Sequence, residues 1–121
     1  MEELLSFIAG KMQDADIPYE FGEWRSEVKY PYCVGTFSTN EYRFEDNCIS
    51  GTLTVDIWSR ESKLQAVQTA DRIAEYFQDL QEVSGGSAFY IRFGSADLIP
   101  SGEMDLFRIS VKLYASKWKG D

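Results

Sequence analysis

Residues 50–60 read SGTLTVDIWSR, and they are followed directly by ESKLQAVQTADRIAEYF, residues 61–77. In the first segment Leu53, Val55 and Ile57 alternate with Thr52, Thr54 and Asp56, the two-residue period of a half-buried strand over Ser50–Trp58. Trp58 breaks the pattern by falling on the polar face. In the second segment Ser62 and Gln65 have capping-box spacing, so a helix should begin there. Leu64, Val67, Ala70, Ile73, Ala74, Phe77 and Leu80 then recur in steps of three and four, which predicts one apolar helix face running to Leu80.

Working outward, Leu4, Leu5, Ile8 and Met12 give residues 2–13 an amphipathic helical stripe. Pro18–Phe21 is a short apolar stretch, and Tyr32–Phe37 is rich in strand formers and follows Pro31. The polar connection STNEYRFEDNC carries Tyr42 and Phe44, aromatics that suit a longer hairpin arm. Gly85 and Gly86 end the helical region. Ser87–Phe93 alternates again, residues 94–105 hold the turn formers Pro100 and Gly102, and Leu106–Trp118 is a long strand with one dry face. The predicted order is α-β-β-β-α-β-β: one α+β domain over residues 1–121, a two-layer sandwich of about five mainly antiparallel strands with two helices on one face.

Composition narrows the function. Twenty acidic against twelve basic residues give a formal charge of -8, which repels nucleic acid. There is no apolar run of bilayer length, and the acidic N-terminus is unlike a signal peptide, so a soluble cytosolic chain is expected. The sequence has no histidine, which removes Ser-His-Asp, Cys-His and His-metal chemistry. Cys33 and Cys48 cannot close a four-ligand zinc site and are expected as reduced, partly buried thiols. The acidic residues lack EF-hand spacing, and Ser84-Gly85-Gly86-Ser87 lacks the lysine of a phosphate loop and follows a helix instead of opening one. The expectation is therefore no enzyme, no cofactor and no metal.

What remains is a contact surface. Three Trp, seven Tyr and eight Phe exceed what one small core absorbs if Trp24, Tyr42, Phe44, Trp58, Tyr90, Tyr114 and Trp118 lie on polar faces or in loops. Arginine and aromatic residues on polar faces are what interfaces recruit. Arg108, Lys112, Lys117 and Lys119 also make the last strand basic, which suits head-to-tail contact with an acidic surface on a second copy. The interface candidates are Tyr42, Phe44, Trp58, Arg60, Arg108 and Lys112, with Trp58 expected near the edge of the outward sheet face.

Taken together, the N-terminal amphipathic helix, YPYCVGTF, GTLTVDIWSR running into ESKLQAVQTADRIAEYF, and the closing DLFRISVKLYASKW resemble the tail-terminator or tail-completion (tail-to-head joining) proteins of long-tailed bacteriophages over nearly the whole chain. The resemblance implies a structural virion protein that forms a ring, typically a hexamer, on the head-proximal end of the tail tube. Its partners would be itself, the tail tube protein and the head connector, with DNA passing through the ring without specific binding and no membrane involved. It further implies assembly in the bacterial host cytoplasm and a final place in the virion. Other neck or head-completion proteins, and small non-catalytic protein-binding modules, share this order of elements.

Overall fold

The alternation in residues 50–60 becomes an internal strand of a six-stranded sheet, whose dry face lies under two helices. A computed structural model describes residues 1–43, 48–60 and 62–119, with the side chains of 40–43 and 119 set aside. The elements are α1 (Glu2–Asp14), β1 (Tyr19–Phe21), β2 (Tyr32–Arg43), β3 (Cys48–Arg60), α2 (Lys63–Tyr76), β4 (Asp79–Ser84), β5 (Ser87–Ile99) and β6 (Leu106–Lys119). In space the strands follow the order β1-β2-β3-β6-β5-β4.

The class is α+β, as the sequence predicts, with two corrections. The sheet is mixed, because β1 runs parallel to β2 while every other neighbouring pair is antiparallel. It also has six strands, not five. The additional strand is β4, which lies partly where the periodicity predicts helix: α2 stops at Tyr76, Phe77 caps it, and Leu80 pairs with Ile91. The spacing Ile73–Phe77–Leu80 fits a helix, but the Gly85-Gly86 turn, with φ of 61° and 82°, folds Asp79–Ser84 back onto β5, and that pairing wins. A third expectation also changes: residues 94–99, taken as connection, continue β5 beyond a bulge at Gly94.

One cluster of buried side chains holds the layers together. β3 contributes Ile49, Leu53, Val55 and Ile57, and β6 contributes Ile109, Val111, Leu113 and Ala115. Leu4, Ile8 and Met12 of α1 and Ala66, Ala70 and Ile73 of α2 join the same cluster. Burying each large aliphatic side chain is worth about 1.5–3 kcal/mol. The stripe of α2 is rotated from the predicted one, for Leu64 and Val67 are exposed and Ala66 and Thr69 are buried. Two alanines facing the sheet let the helix backbone approach closely, and that fit outweighs burial of the larger residues at its N-terminal end. Ser62 accepts the Gln65 N–H at 3.1 Å, so the serine half of the predicted box forms, while the Gln65 side chain accepts from the Ser59 hydroxyl at 2.9 Å.

Polar ties fix the helices. Lys11 Nζ lies 2.7 Å from Glu82 Oε1, Lys117 Nζ lies 3.0 Å from Glu3 Oε2, and Phe7 stacks on Phe89 with centroids 4.0 Å apart. The Arg72 guanidinium donates to the carbonyls of Ala15 and Asp16 just past α1, answering acceptors that the helix end leaves open.

Candidate protein interface

The pleat sends the even-numbered side chains of β3 and β6 away from the helices. Three rows across that face matter here. Tyr32, Trp58, Arg108 and Ile99 form the first; Val34, Asp56, Ser110 and Asp97 the second; Thr36, Thr54, Lys112 and Ser95 the third.

Trp58 belongs to the first row, on the internal strand β3 two residues from its end and opposite Tyr32, the first residue of β2. It is half-buried because its neighbours close over it: the Arg108 guanidinium carbon sits 5.2 Å from the centre of its ring. Arg108 is held in place by Asp56, with Nη2 3.1 Å from Oδ2. Next to Trp58, Tyr32 packs against Trp24 at 5.0 Å and Tyr30 at 5.5 Å, so residues 22–31 fold against this end of the face. Arg60 continues the cluster, its guanidinium 5.5 Å from the Tyr30 ring and its Nη2 3.3 Å from Glu103. The Tyr30 hydroxyl and Glu103 hold the guanidinium in its charged form, raising its pKa. Burial, followed by the neighbouring Tyr30, raises the pKa of Tyr32, so its hydroxyl stays neutral.

Trp58, Arg60 and Arg108 are thus brought together. Lys112 stands two rows away, exposed and without a partner among the described residues. Tyr42 lies opposite Ile49, near the other end of β2, and its side chain is outside the described residues, as is Phe44. The basic last strand is largely neutralised within the chain, Arg108 by Asp56 and Lys117 by Glu3, leaving Lys112 as its free charge among the described side chains. Trp24, Tyr30 and Tyr32 complete the cluster. Of these, sequence reasoning names only Trp24, because the proline-flanked tyrosines look like the start of a strand and nothing in their spacing reveals the fold-back.

A second exposed patch lies across the sheet. Trp118 and Val83 are open to solvent beside Ala88, and Arg92 lies 4.7 Å from the Tyr114 ring centre. Two polar atoms on the open face, Asp56 Oδ1 and Arg108 Nε, are shielded from water yet have no hydrogen-bond partner among the described residues. Among the described residues no three His, Cys, Asp or Glu side chains converge in a way that could hold a metal ion. Both cysteines are free and buried. No helix among the described residues is long and apolar enough to cross a membrane.

No protein-family model matches the sequence, and no curated protein matches it. A solved protein structure with 12% sequence identity superposes on 100% of this chain and 97% of its own with a TM-score of 0.72. At that identity the likeness concerns the fold.

Proposed function

We propose that this chain is a structural subunit of a bacteriophage tail, forming a ring that caps the head-proximal end of the tail tube and joins tail to head. The reading draws on the sequence resemblance over the α1, β2, β3–α2 and β6 segments. The observation that carries it is the open sheet face, where Trp24, Tyr30, Tyr32, Trp58, Arg60 and Arg108 interlock on the side away from the helices. Such a surface suits protein contact: large rings bury much area at small entropic cost, and fixed guanidinium groups add directional hydrogen bonds. The net charge of -8 supports a conduit that DNA passes without sticking. The partners are further copies of the chain, the tail tube protein and the head connector; no cofactor and no reaction enter the mechanism.

Deleting the gene from its phage or prophage tests the reading. Heads and overlong tail tubes should accumulate unjoined in electron micrographs, and the chain supplied in trans should restore joined particles. Joined particles with tails of normal length in the absence of the chain would refute it.

A further inference from the structure

The two edges of the sheet are each only half covered, and at opposite corners. β1 pairs with β2 over Cys33–Gly35, where the Gly22 N–H makes the last bond to the Gly35 carbonyl at 2.8 Å. From Thr36 to Arg43 the outer side of β2 meets no strand among the described residues. On the other edge β4 pairs with β5 from Ser87 to Arg92, and Phe93–Ile99 has no strand on its outer side among the described residues. Unpaired backbone of this length is a ready template for another strand. Successive antiparallel pairings through β3 and β6 make β5 run opposite to β2, so the free halves of two copies meet antiparallel.

We infer that a second copy of this chain joins head to tail, the free half of its β2 pairing antiparallel with the free half of β5 to continue the sheet from subunit to subunit. This deepens, and rests on, the ring reading. Two constraints choose the register. The first is steric: β1 ends opposite Gly35, and β5 ends at Ile99 before Pro100, which has no N–H to donate, so Thr36 meets Ile99 as the strand on each side runs out. The second is the pleat: inward must meet inward. With Thr36 opposite Ile99, Phe37 meets Leu98, Ser38 meets Asp97 and Thr39 meets Ala96, and every pair shares a face.

That register also gives Leu98 a role. It points to the helix side, shares a shallow groove with Lys63 at the start of α2 and residues 99–104 and 106–108, and is 52% exposed. Phe37, half-buried against the core of the next copy, would cover it. The steps interlock as well, with β4 of one subunit above the incoming β2 and β1 of the other below the outgoing β5. Because the two surfaces differ, the contact is heterologous, and its repetition closes into a ring when the rotation allows.

Cysteine cross-linking tests this on the full chain. Thr39→Cys and Ala96→Cys are both exposed positions, and native Cys33 and Cys48 are buried. At high protein concentration, a short bis-maleimide should convert the double variant into a ladder of dimers and higher species on denaturing gels, and should leave each single variant largely monomeric. A Leu98→Lys chain should also assemble at least tenfold more weakly in sedimentation. Cross-linked product no more abundant in the double variant than in the singles would overturn the edge pairing, whether or not rings form. Rings seen on tails together with that negative gel would leave the functional reading standing, whereas joined tails without the chain would remove the reading itself.

Discussion

Cys33 offers a test of the core that reads out as a pH dependence. Its thiol sits on the inward face of β2, fully covered, and burial pushes its pKa from an ordinary 9.0 up to about 12, with Arg72 opposing weakly. A raised thiol pKa means that the folded chain holds a proton the unfolded chain gives up. The stability this represents is intact below pH 9 and is lost as pH climbs from about 9 toward 12. At pH 10 ionisation of the exposed thiol favours the unfolded chain by about 1 kcal/mol, and at pH 8 hardly at all. Burial also raises the pKa of Tyr19, whose hydroxyl has no partner among the described residues, and this adds a loss of the same sign at higher pH.

Urea unfolding of the parent and of Cys33→Ala at pH 8 and pH 10 isolates the thiol. The alanine chain will be less stable at both values, since it loses packing, but that loss cancels in the comparison across pH. The parent should lose about 1 kcal/mol more than the variant between the two values. Equal losses would mean that Cys33 ionises in the folded chain as it does in water, and the sealed inner face of β2 would be wrong.

Two other substitutions probe separate joints. Ser62→Ala removes the side-chain acceptor for the Gln65 N–H while keeping the backbone carbonyl that the Ser59 hydroxyl bonds; a loss of about 1 kcal/mol in urea melts is expected, and none would show that α2 is held by packing alone. Trp58→Ala should cost the fold only about 1 kcal/mol, because the ring is half-buried and its cation contact is partly solvated, yet it should weaken ring assembly at least tenfold in sedimentation; assembly equal to the parent's would separate Trp58 from the interface.

The sequence reveals β3, β6 and α1 because each repeats a single period long enough to outvote local exceptions. It misleads at α2 and β4 for one reason: Leu64, Val67 and Leu80 fit the helical spacing by residue type, while the choice of buried face depends on how closely Ala66 and Ala70 let the helix approach the sheet. That distance belongs to the tertiary structure. β4 is hidden likewise, as DLQEVS is polar on both sides and becomes a strand only because the Gly85-Gly86 turn lays it on β5. Of the interface candidates, Trp58 and Arg60 on β3 and Arg108 on β6 come together at one end of the open face. Their composition announces them, but the partners that hold them, Asp56, Tyr30 and Glu103, are legible only once β3 and β6 are aligned and the 22–31 segment is folded back.

A tryptophan on the outward face of an internal strand has a physical account in that alignment. Arg108 lies directly opposite Trp58 on β6, Tyr32 directly opposite it on β2, and Trp24 packs against that tyrosine. Each ring or guanidinium is braced by the next, and Asp56 fixes the arginine from two residues along the strand. Side chains already immobilised in the free subunit lose little further entropy on contact with a partner, so more of the buried area becomes binding energy. The same bracing leaves Asp56 Oδ1 and Arg108 Nε without partners among the described residues, a cost the fold carries on the open face. Rigid aromatic area held ready in the free subunit suits a surface whose final neighbours belong to another chain.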